Sequence, residues 1–194
     1  MLMTTAKIIE QLGDYSNPRC KLQRLVREGI YIPIIRGYYE TEADLPCCCL
    51  ASVIRSPSYI SFSYALMHHG MIPDEVSVVT NATRSTHRTK SYDTPFGRLE
   101  YRDVPEKVFP YAVSLSKERG YEVWTAEPEK ALCDTLYTLP PCKNVSDIGT
   151  AVSDGLRVYE WALDRLDIGV LGQICPLYRC RNTELFLDYM RSRR

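Results

Sequence analysis

The chain has no apolar run of membrane-spanning length, no excess of either charge, no C-x-x-C pair and no glycine-rich phosphate loop. Each absence removes a class. A spanning helix needs about 20 consecutive apolar residues, so no membrane partner is expected. Lysine and arginine total 24, as do aspartate and glutamate. That balance excludes a protein that coats nucleic acid over its whole surface, while allowing a local basic patch. Residues 1–14 carry charge by Lys7 and lack the apolar stretch of a signal peptide, so a cytoplasmic location is expected. Cysteine is plentiful, at eight residues, but wrongly spaced for a zinc site: Cys47, Cys48 and Cys49 are consecutive, and four residues separate Cys175 from Cys180. Adjacent cysteines rarely share one tetrahedral ion, so free thiols are expected, with no metal and no cofactor.

What is present is the balance of apolar and charged residues found in soluble globular chains. At 194 residues the length suits one or two domains with a real core. The most informative stretch is Ser16–Glu40. Asn17 is a good helix N-cap, Pro18 suits the first helical position, and Gly29 is a stop. Leu22, Leu25 and Val26 form an apolar stripe; the opposite face carries Cys20, Gln23, Arg24 and Arg27, with Arg19 and Lys21 on its flanks. Ile30, Ile32 and Ile34 then alternate as a strand, Arg36-Gly37 turns, and Tyr38 begins the return. Pro33 belongs on an edge, since it cannot donate to a ladder. A basic helix followed at once by a hairpin with arginine at its tip is the layout of a winged helix-turn-helix. Thr5 caps a short preceding helix through Leu12, so the module has one helix fewer than the usual three.

Thr41–Pro46 is polar and acidic, which places a boundary between residues 1–45 and 46–194. Beyond it the pattern predicts a helix over Cys47–Arg55, a second capped by Ser61, a buried strand over Val76–Thr80, and a hairpin over Arg84–Val104 turning at Thr94–Gly97. Strands follow near Ala112–Leu115 and Glu122–Thr125. A helix starts at Pro128, and Asp167 (or a neighbour) and Asn182 cap two helices in the tail, the first kinked or broken near Pro176. The fold class is therefore α+β with a helical C-terminus. Arg84, His87, Arg88 and Lys90 make a second basic patch, suited to nucleic acid or an acidic partner. His68-His69 lacks a third ligand at local spacing. Glu127, Glu129, Lys130 and Asp134 lack nuclease spacing, and Lys130 and Asp134 read as a simple i,i+4 pair. No catalytic residue is assigned, and an enzyme is not expected.

Four segments in order, K-L-x-R-L-V-R-E-G-I…R-G-Y-Y, S-Y-I-S-F-S-Y-A-L-x-H-H-G-M-I-P, T-P-F-G-R-L-E-Y-R and A-E-P-E-K-A-L-C-D-T-L-Y, resemble the AbiEi-like antitoxins of type IV toxin–antitoxin systems. The resemblance implies a winged-helix DNA-binding domain followed by a mixed α/β antitoxin domain. It also implies repression of the protein's own operon and opposition to a nucleotidyltransferase-like toxin. By residue match, Asn17, Arg19, Lys21, Gln23, Arg24 and Arg27 fall on the DNA-reading helix, and Arg36, Gly37 and Tyr38 on the wing. Arg84, Arg88 and Lys90 enter from charge alone. Two alternatives stand beside this reading: a protein-interaction module that has lost DNA contact, and a hydrolase or nuclease.

Overall fold

Thr4 is extended and caps α1 (Thr5–Gln11), its hydroxyl accepting from the Lys7 amide at 3.3 Å. The expected cap was Thr5. The shift arises because Met3–Thr4 forms a short strand, β1, which the sequence pattern did not reveal. The computed structural model describes residues 1–84 and 88–193 as a mixed α+β chain.

The second helix, α2 (Pro18–Arg27), starts as expected: Asn17 Oδ1 accepts from the Cys20 amide at 3.1 Å, with Pro18 in the first turn. Gly29, at φ +75°, takes the left-handed conformation that ends it. Leu22 is buried with Met3, Ile8 and Leu12; Leu25, Val26, Tyr31 and Tyr39 pack around this small core. Strands β2 (Ile32–Ile35) and β3 (Tyr38–Glu40) form the hairpin, and β1 pairs with β3, giving an antiparallel sheet of order β1-β3-β2. Pro33 is exposed on β2, an outer strand. Ile30, expected inside the strand, is exposed and precedes it, so the alternation begins at Ile32. Ile34 points away from the small core and joins the large one.

The larger body begins with a 3₁₀ turn, Cys47–Leu50, that runs into α3 (Ala51–Ile54) where one helix was expected. Then come β4 (Ser58–Ile60), α4 (Phe62–His68), β5 (Val79–Thr83), β6 (Lys90–Thr94), β7 (Gly97–Asp103), β8 (Val113–Glu118) and β9 (Tyr121–Ala126). They form a six-stranded sheet of order β6-β7-β5-β4-β9-β8, parallel at β5–β7 and β4–β9. β5 lies three residues downstream of its expected position, and all five of its residues are buried. Its neighbour β4 was not expected. Short, buried on both faces and preceded by Ser-Pro, it carries no period-2 signal.

The tail is helical: α5 (Pro128–Thr138), α6 (Val145–Thr150), α7 (Glu160–Asp164), α8 (Ile168–Tyr178) with Pro176 inside it, and α9 (Arg181–Ser192). Leu132, Leu136, Ile148 and Phe186 are wholly buried among them, each contributing roughly 1.5–3 kcal/mol by leaving water. Asp167 caps α8 as expected. Asn182 does not cap α9; buried, it donates to the Leu136, Leu139 and Pro140 carbonyls and accepts from the Cys142 amide, closing the end of α5. No helix among the described residues is long and apolar enough to cross a membrane.

Candidate functional site

On α2 the apolar stripe faces the small core, leaving Arg19, Cys20, Gln23, Arg24 and Arg27 exposed. Arg24 Nε lies 2.9 Å from Glu28, an exposed i,i+4 pair of small energetic weight. Lys21 sits 4.8 Å over the Tyr15 ring. Arg19, Arg27 and Arg36 have neither an ion pair nor a hydrogen-bond partner for their side chains among the described residues. Asn17 is engaged in capping, so its amide serves the helix first. Arg36 and Gly37 form the hairpin turn and Tyr38 opens β3, with Gly37 at φ +91°, a conformation a β-carbon disfavours. From Pro18 to Gly37 there are five basic residues and one acid, Glu28, in a chain whose charges otherwise balance.

Between α2 and the sheet lies a groove of about 520 Å³ lined by Arg19, Leu22, Gln23, Val26, Arg27 and Tyr39, among others. Tyr39 and Tyr15 were not singled out by the sequence. Tyr15 lies in the bend before α2, and Tyr39 is brought back to it by the return of the hairpin after β2.

The second basic patch is less available. Arg84 is 2.7 Å from Glu106, with its guanidinium 5.6 Å over the Phe109 ring. Arg88 lines a shallow polar hollow that also includes Glu100, Arg102 and Asp103. Lys90 is exposed at the start of β6. His87 lies outside the described residues. The remaining candidates are dispersed. His69 Nε2 is 2.7 Å from the Ala126 carbonyl while His68 is exposed, and Glu129 accepts from the Asp167 amide at 2.7 Å.

Lys130 and Asp134 are paired at 2.9 Å, as the spacing suggested, but with both side chains at 0% exposure. Asp134 Oδ1 also accepts from Tyr178 at 2.5 Å, and its Oδ2 from Tyr59 at 2.9 Å and Ser61 at 2.7 Å. Ser61, expected as a helix cap through its side chain, commits its hydroxyl to this carboxylate instead. The cluster ties α5 to β4 and α8. With the Lys130 and Asp134 side chains wholly buried, it is suited to holding the body together.

Burial, followed by the Asp134 charge, pushes the Tyr59 and Tyr178 phenols well above their ordinary 10.0. Burial and the neighbouring Cys48 raise Cys49 to about 12 and Cys47 to about 11, from an ordinary 9.0. These groups stay protonated in the fold after the unfolded chain has begun to lose its protons. Their contribution to stability is complete below the unfolded values and is lost as pH climbs through the raised ones. The urea midpoint, measured under reductant, is therefore expected to fall steadily from about pH 9 upward; a midpoint constant to pH 11 would contradict the burial of these groups.

No family model matches the chain, and no curated protein matches it. Among solved structures it is similar to the crystal structure of the RV2827C protein from Mycobacterium tuberculosis, with a TM-score of 0.51 and 12% sequence identity over 97% of this chain and 76% of that one. At that identity the likeness is one of fold.

Proposed function

We propose that the protein is a sequence-specific DNA-binding regulator in which α2 enters the major groove and the β2–β3 turn lies against the adjacent backbone as a wing. The element order β1-α1-α2-β2-β3 supports this reading, since two helices followed at once by a hairpin suit a winged helix-turn-helix lacking its leading helix. The observation that carries the reading is the set of exposed arginines on one small unit, Arg19, Arg27 and Arg36, none paired with another described residue. Unpaired guanidiniums retain their capacity to replace the counterions of a phosphate backbone.

In this reading residues 1–45 bind the operator of the protein's own operon, and residues 46–194 form the antitoxin body that counters a nucleotidyltransferase-like toxin. The antitoxin half rests on the sequence resemblance. A mobility shift on the DNA upstream of the gene, repeated across salt concentrations, tests the first half: a discrete complex that weakens steeply with salt is expected. Salt-insensitive or absent binding at low ionic strength overturns it. Co-expression with the neighbouring gene product tests the second half through relief of toxicity.

A further inference from the structure

The geometry points to a site for a thiophilic divalent cation, of which Zn(II) is the probe, formed by Cys48, Cys49 and Glu118. These residues are far apart in sequence. The 3₁₀ turn Cys47–Leu50 brings two thiols to the end of β8, where Glu118 stands. One ligand atom from each residue lies within 4.8 Å of the other two. Cys48 Sγ is 3.6 Å from Glu118 Oε2, and Cys49 Sγ is 3.8 Å from the Glu118 carbonyl. With Zn–S at about 2.3 Å and Zn–O at about 2.1 Å, the sulfur–oxygen edge of a tetrahedron is about 3.6 Å and the sulfur–sulfur edge about 3.8 Å. The first edge is already in place, and a change of about 1 Å brings in the second thiol. Cys48 and Glu118 line a cavity of about 260 Å³ together with His68 and Tyr64, while Cys49 lies buried behind them. The cavity leaves room for water in the fourth position. Cys47 turns elsewhere, against Gly97, where a β-carbon would meet its Sγ at 3.2 Å.

Adjacency in the chain argued against two neighbouring cysteines sharing an ion. The tight turn removes that objection by bringing both sulfurs to Glu118, Cys48 to its carboxylate and Cys49 to its backbone carbonyl. The location gives the ion a mechanical consequence. Residues of the β8–β9 turn already hold the segment between the two cores: Arg119 bonds Glu42 and Asp44, and the Tyr121 hydroxyl donates to Glu40. A cation bridging Cys48, Cys49 and Glu118 would add a stronger brace at the same joint.

The inference is independent of DNA binding. Reduced protein is titrated with Zn(II) against a chromophoric chelator, and with Co(II) for its thiolate charge-transfer band. One equivalent is expected, with a rise in the thermal midpoint. Affinity should fall about 10-fold or more in Cys48→Ser and in Glu118→Gln, with no change in Cys20→Ser. Glu118 is exposed, so Glu118→Gln is expected to fold normally and decides the matter if the cysteine variant does not. Absence of stoichiometric binding, or full affinity in Glu118→Gln, overturns the site.

Discussion

Lys130→Met is expected to lower folding stability by about 3–5 kcal/mol, and Asp134→Leu by more. The ranking follows from what each leaves behind. Without Lys130, the Asp134 carboxylate keeps three hydroxyl donors, from Tyr59, Ser61 and Tyr178. Without Asp134, an ammonium group at 0% exposure retains, among the described residues, only the Tyr178 hydroxyl at 2.9 Å and the faces of the Tyr59 and Tyr178 rings, at 5.3 and 4.8 Å. Three hydroxyls also lose their acceptor, at a cost of about 1–3 kcal/mol for each left unsatisfied. Removing both charges in Lys130→Met/Asp134→Leu should recover part of the loss. Adding Tyr59→Phe and Tyr178→Phe should recover more, because the orphaned phenols go too. Urea midpoints at unchanged slope measure this series. If Asp134→Leu matches wild type within about 1 kcal/mol, the pair is not the charged, dry cluster described here.

That cluster also marks where the sequence stops being legible. The i,i+4 spacing of Lys130 and Asp134 was readable, but their burial was not. A charged pair in a helix is usually solvated, and the residues that reverse the expectation lie about 45 to 75 positions away. Cys48 and Glu118 were separated for the same reason, since pairing of β8 with β9 and their approach to the 3₁₀ turn are tertiary events. Local chemistry was read well: Asn17, Gly29, Pro18 and Asp167 act as their residue types predict. Failures fell where a side chain had a better distant partner, as with Ser61 and Asn182, or where a strand was too short to show a period, as with β1 and β4. The outward face of α2 was predicted from its 3.6-residue period alone, because a surface helix shows its exposed face in its sequence.

The largest effect expected on binding is from the triple variant Arg19→Ala/Arg27→Ala/Arg36→Ala, which should weaken operator affinity by about 100-fold or more near physiological salt. All three side chains are exposed and unpaired with described residues, so their removal takes nothing from the fold and should leave the urea midpoint unchanged. Each guanidinium that contacts a phosphate should also reduce the slope of log affinity against log salt by about 1. Arg24 is a different case, since reading a base requires it to leave Glu28. Arg24→Ala should cost about 1–3 kcal/mol on the cognate sequence and relax specificity at one base pair with little change in salt slope. Arg84→Ala/Lys90→Ala is the internal control: Arg84 is held by Glu106, both residues lie on the body, and binding should be unaffected. The comparison separates a recognition helix with its wing from a general attraction of cationic surface to DNA. A loss in the control equal to that in the triple variant would place the DNA on the body and end the case for α2.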